Sequence, residues 1–188
     1  MRIISIAALA LPLIACGGPD TSQANNAAAN ISNEARPAAT AGASTAADLS
    51  MFARAPSKEA ALKIRHDRHE GMEAIGKGNK IIKQELNAGS PNLALVRSTA
   101  ARMAALAGQA SGWFHAGTGP ELGKTGAKPE IWQNQPDVAA KLTAFQKAAR
   151  AFSDVAAGND PEAMKTRFAA MSQTCKACHD KYRSEMHH

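Results

Sequence analysis

PEAMKTRFAAMSQTCKACHDKY, residues 161–182, decides the fold. Met164, Phe168, Met171, Cys175, Cys178 and Tyr182 recur in alternating steps of four and three. That repeat gathers apolar side chains on one face of an α-helix. Asp160 precedes the stretch as a cap and Pro161 opens it, a position where the missing N–H costs nothing. Upstream, Val138, Leu142, Phe145, Ala149, Phe152 and Ala156 form a second stripe that begins near Pro136 and stops at Gly158-Asn159. Val96, Ala100, Met103, Ala107, Ala110 and Phe114 form a third, over about Asn92 to Phe114. The earliest runs from a Ser57 cap to about Asn87 and carries Ile64, Met72, Ile75, Ile82 and Leu86, with Gly71, Gly76 and Gly78 as interruptions. Gly89-Ser90-Pro91 is a turn, and residues 115–133 form a longer Gly- and Pro-rich crossover. No strand-like alternation occurs. The expectation is an all-α fold, an antiparallel four-helix bundle over residues 55–188, long enough for one core.

Within the last stripe, Cys175-Lys176-Ala177-Cys178-His179 has the C-x-x-C-H spacing of covalent haem attachment. Two thiols make thioethers to the two vinyl groups of one haem c, and the following imidazole reaches the iron. His179 lies four residues after Cys175, on the same side of the helix. Other uses of the pair are a Cys175–Cys178 disulfide, a thioredoxin-like motif, which needs a βαβ pattern absent here, and a zinc site, which needs further ligands. A second protein ligand to the iron is expected upstream of the motif.

Residues 1–15 read as an export leader: Arg2 gives the positive start, and the apolar run from Ile3 to Ala15 is shorter than the ~20 residues a membrane-spanning helix needs. Leu13-Ile14-Ala15-Cys16 resembles the lipobox of bacterial lipoproteins, in which the cysteine becomes the lipidated N-terminus. The plainer reading is an ordinary cleaved leader with an incidental cysteine. With Cys16 lipidated, residues 16–54 become a lipidated end and a disordered tether, poor in large apolar residues and about 30 Å long on average. The predicted location is the periplasm, anchored to the inner or outer membrane. Of the three cysteines, none then remains for a disulfide. The chain has 22 basic and 16 acidic residues, a mild positive field suited to an acidic redox partner or an anionic membrane. Dispersed basic residues, few aromatics and no nucleic-acid motif argue against nucleic acid.

Three stretches together resemble the class II c-type cytochromes, the cytochrome c′ family. They are Thr174 to Arg183 around the haem motif, Lys128-Pro129-Glu130-Ile131-Trp132 before the third helix, and Ile64 with Arg68-His69-Glu70-Gly71-Met72-Glu73-Ala74-Ile75-Gly76 in the first helix. The resemblance spans about residues 55–185. It implies that Met72 faces the iron opposite His179, as in low-spin members that carry electrons. Met/His ligation favours ferrous iron and raises the potential. The main expectation is therefore an electron-transfer protein, not an enzyme. The alternatives are a five-coordinate module binding NO or CO, and a weak peroxidase that requires an open iron position. The resemblance also places Arg68 near the haem edge and Arg183 near the proximal face; solvated surface arginines are the other reading. His69, and less so His66, compete with Met72 for the iron; the plainer reading of Met72 is a side chain that fills the core. Met103, Met164 and Met171 read as packing, and Met186 sits too far along the motif's own helix to reach the opposite face. Gly71 and Gly76 are expected to let the macrocycle approach the helix. Members of the family are often homodimers through the first two helices. Gly117-Thr118-Gly119 and Gly123-Lys124-Thr125 fail the phosphate-loop spacing, and His115 there is expected to be exposed.

Overall fold

A computed structural model describes residues 50–185. The leader, Cys16, most of the tether and Met186 lie outside the described residues. Four helices form the bundle: α1 (Lys58–Leu86), α2 (Leu93–Gln109), α3 (Gln135–Ala156) and α4 (Pro161–Tyr182). Their starts are set by side chains that satisfy otherwise orphaned N–H groups. Ser57 Oγ accepts from the Ala60 amide, Asn92 Oδ1 from Leu95, and Asp160 Oδ1 from Glu162 and Ala163. Pro161 opens α4, and Pro136 lies in the first turn of α3.

α3 packs closely against α2 on one side and α4 on the other, and α1 packs against α2; α1 and α4 touch only sparingly. Ala100 and Ala107 of α2 and Ala149 and Ala156 of α3 are all without solvent exposure. Such small residues let helix axes approach closely, and Phe152, Met103, Met164 and Met171 fill the space between.

Four expectations need correction. α1 runs without a break through Gly71, Gly76 and Gly78, because tertiary packing of its buried stripe outweighs a propensity cost of about 1 kcal/mol per glycine. α2 stops at Gln109 and tightens into a 3-10 turn, Ala110–Gly112, well short of Phe114. The Trp113 and Phe114 carbonyls are committed elsewhere, to the Arg68 guanidinium at 2.9 Å and the Trp132 indole N–H at 3.1 Å. The crossover is not plain loop: it holds a 3-10 turn, Pro120–Leu122, and one helical turn, Glu130–Gln133. Finally, packing begins before residue 55. Phe52 is buried in the core, and the Ala55 amide donates to the Ala116 carbonyl at 3.0 Å.

Candidate functional site

Cys175, Cys178 and His179 stand on the last two turns of α4, all in helical backbone. The two thiols are free and half-buried, packed against the core margin. Desolvation pushes both thiols above the usual cysteine range, and nearby Asp137 and Cys175 push Cys178 the same way. They are therefore protonated at neutral pH. The His179 imidazole is exposed at the helix surface, but partial desolvation, with Arg183 next, pulls its pKa down against the opposing pull of Asp180. A neutral imidazole keeps the lone pair an axial ligand needs. No ring hydrogen bond to His179 is present among the described residues, so its direction is set by the helix that carries it.

On α1, Met72 lies at the edge of the buried stripe, half-buried and packed against the core cluster, as Cys175, Cys178 and Phe168 also are. Its rivals are disposed differently. His69 and His66 are exposed, and His69 Nε2 lies 3.5 Å from Glu73. Met103, Met164 and Met171 are fully enclosed in the core.

Two neighbours of Met72 have roles the sequence did not suggest. Gly71 makes room for a side chain of the protein: a Cβ there would stand 2.3 Å from the Trp113 ring. At Gly76 nothing lies within 4 Å of such a Cβ. Arg68, with only 5% exposure, is spent on the crossover. It donates to the Trp113 carbonyl at 2.9 Å and to the Thr118 hydroxyl and carbonyl at 3.1 and 2.7 Å. Its guanidinium also stacks near Phe114 and Trp132. Burial, then Arg65, lowers its pKa to about 10, so it remains a cation at neutral pH. One turn earlier, Arg65 donates to the Leu122 and Lys124 carbonyls. The Gly-rich segment is thus a clasp for arginines. Gly117 and Gly123 have φ of 84° and 107°, a region in which a side chain is strained. His115 is half-buried, not exposed, with Nδ1 2.9 Å from the Ala53 carbonyl.

Arg183 is exposed just past α4, where its amide donates to the His179 carbonyl at 3.0 Å. Beside it is a cluster that sequence reasoning missed. Asp137, in the first turn of α3, accepts from the Tyr182 hydroxyl at 2.5 Å and from Lys181 Nζ at 3.0 Å, and Lys141 Nζ lies 3.7 Å away. The Tyr182 hydrogen bond holds the Asp137 carboxyl below its usual range, while burial and then Asp137 push the Tyr182 phenol up. The only trace in the sequence is an acidic residue in a first helical turn, an ordinary placement.

Two thiols on one helical face, a neutral imidazole one turn along and half-buried apolar side chains at the core margin would suit a covalently held haem. The family model for cytochrome C′ matches residues 63–183. The cytochrome c′ of Allochromatium vinosum is 38% identical over 121 residues, covering 63% of this chain and 78% of that protein. A solved cytochrome c′ with ligand-controlled dimer dissociation has a TM-score of 0.63 at 34% identity, covering 66% of this chain and 97% of its own. Variants of Alcaligenes xylosoxidans cytochrome c′ solved with nitric oxide and with carbon monoxide have TM-scores of 0.54 at 25% identity, covering 71% and 69% of this chain and 99% and 98% of theirs.

The fold is that of a periplasmic-type c-type cytochrome built on a four-helix bundle. The chain belongs to the cytochrome c′ family, whose cofactor is covalent haem c with its iron.

Proposed function

We propose that this protein is a five-coordinate haem module that binds nitric oxide or carbon monoxide. In this reading Cys175 and Cys178 hold the haem and His179 is the one protein ligand to iron. The bound haem supplies an iron with one open position for a diatomic ligand. Met72 stands on that open side as an apolar neighbour, not a ligand. The observation that carries the reading is kinship with cytochromes c′, among them the Alcaligenes xylosoxidans variants solved with NO and CO. The composition of the seam supports it. Met72 is apolar, and the donors of nearby Arg68 are turned to loop carbonyls. Neutral diatomics need no hydrogen-bond donor, whereas the peroxidase alternative does.

A second reading keeps Met72 on the iron and makes the protein an electron carrier. It is favoured by the half-buried thioether on the core cluster shared with both cysteines, a soft ligand for ferrous iron. Optical spectra of the ferric and ferrous holoprotein, with and without CO, separate the two. High-spin bands and ready CO binding in the parent and in Met72→Leu support the first. A low-spin parent that turns high-spin only in Met72→Leu supports the second and ends the first.

The leader at 1–15, lipidation at Cys16 and a tether through residue 49 would hold the domain at a periplasmic membrane surface. Exposed Leu62, Ile81 and Leu95 on α1 and α2 suit a homodimer through those helices, in line with the dimeric relative.

A further inference from the structure

The His179 ring has no hydrogen-bond partner of its own among the described residues, so the fidelity of its aim depends on how firmly the last turn of α4 is held. Helix ends fray, because the final carbonyls lack intrahelical partners. Here the end is tied in three places. The Lys128 amide donates to the Tyr182 carbonyl at 3.0 Å and the Ser184 amide to the Gly126 carbonyl at 2.9 Å. The third tie joins helix to helix through side chains: the Tyr182 ring is 2% exposed, and its hydroxyl meets Asp137 at 2.5 Å. Lys181 meets the same carboxylate oxygen at 3.0 Å and lies 5.2 Å over the Tyr182 ring. Tyr182 follows His179 by three residues, so it occupies the next turn of the same helix.

We propose that Asp137 is a positioning residue for the iron's proximal ligand: by gripping Tyr182 and Lys181 it fixes the turn that aims His179. The inference rests on His179 being that ligand. Asp137 belongs to a different helix, so the clamp transfers the rigidity of the α2–α3 packing to the haem-bearing end of α4. A carboxylate accepting from a phenol and an ammonium makes stronger bonds than a neutral pair, which suits a tie at a helix end.

The experiment uses ferric holoprotein as the parent, Tyr182→Phe, Asp137→Ala and His179→Ala. Tyr182→Phe keeps the buried ring and removes only the hydroxyl, so it folds even if Asp137→Ala does not. Amide hydrogen exchange reads the last turn: the Arg183 amide, which donates to the His179 carbonyl, is expected to exchange about tenfold faster in both clamp variants, a loss of about 1.4 kcal/mol. Amides in the middle of α3 should be unchanged. Electron paramagnetic resonance of the same samples reads the ligand: the iron lines are expected to broaden as the imidazole samples a wider range of orientations. A destabilised helix end that left the iron lines unchanged would make the clamp structural only, and unchanged exchange at Arg183 would remove it altogether. If His179→Ala leaves the parent's resonance intact, His179 is not the ligand and the underlying assignment fails with the proposal. If only the clamp variants leave it intact, the assignment stands and the proposal alone fails.

Discussion

The two long edges of α4 are built differently. One is closed: Met164 and Met171 have no exposure at all, and neither has Phe152 of α3. The other presents Phe168, Cys175 and Cys178, all half-buried at the core margin, as Met72 of α1 also is. Each edge continues an apolar stripe of the same period, so periodicity alone does not tell them apart. The difference is completeness. The closed edge is a protein core that needs nothing more, whereas the open edge has the apolar margin and the thiols that a flat covalent cofactor completes. Stability is therefore expected to reside in the first and chemistry in the second.

The largest effect expected of a single substitution is at the closed edge. Phe152→Ala removes a ring with no exposure and should cost about 3–5 kcal/mol, most of it from the cavity left behind. Phe168→Ala removes the ring that packs on it, centroids 5.6 Å apart, from a half-buried position. It should cost roughly 1–2 kcal/mol. Urea unfolding of the two holoproteins gives both values, and equal losses would erase the distinction between the edges.

The glycines of α1 sharpen the comparison at smaller scale. Gly71→Ala drives a Cβ to 2.3 Å from a buried tryptophan ring that cannot swing aside, and overpacking of this kind costs about 1–3 kcal/mol. Gly78→Ala meets Met103 Sδ at 3.0 Å, a flexible thioether that yields, so its cost should be lower. Gly76→Ala meets nothing and should stabilise α1 by up to about 1 kcal/mol through helix propensity. Shifts in the urea midpoint at constant slope read all three. A stabilised Gly71→Ala would show that Trp113 does not press on α1.

The sequence carried the closed edge well and the open one in part. Stripes such as Val138 to Ala156 and caps such as Asp160 are local features, and local rules recover them. The C-x-x-C-H spacing is local too, so reading the cysteines and histidine as a haem-attachment motif needs no knowledge of the fold. What the residues could not reveal depends on partners far along the chain. Arg68 looked like a haem-edge cation, but its hydrogen bonds go to Trp113 and Thr118, about fifty residues on. Gly71 looked like space for the macrocycle, but the space belongs to Trp113. Asp137 carries no signal beyond its place in a first helical turn, and its partner Tyr182 lies 45 residues on.

The smallest predicted effect concerns the place where the two edges meet, the Asp137 cluster joining α3 to the end of α4. Because the Tyr182 hydrogen bond lowers the folded-state pKa of Asp137, the unfolded chain binds that proton more readily than the native one. The carboxylate's contribution is then complete above the ordinary aspartate value of about 3.9 and is lost as pH falls through the lower folded value. Its side chain is 40% exposed, so solvent screening limits the contribution to about 1 kcal/mol or less. Asp137→Asn should therefore be less stable than the parent near neutral pH, and the gap should close in acid as the parent's carboxylate takes up its proton. Urea unfolding of both proteins across that range reads the gap directly. Were the two curves to run parallel down into acid, the Tyr182 bond would owe nothing to the charge on Asp137, and the junction would be held by the enclosed phenol ring alone.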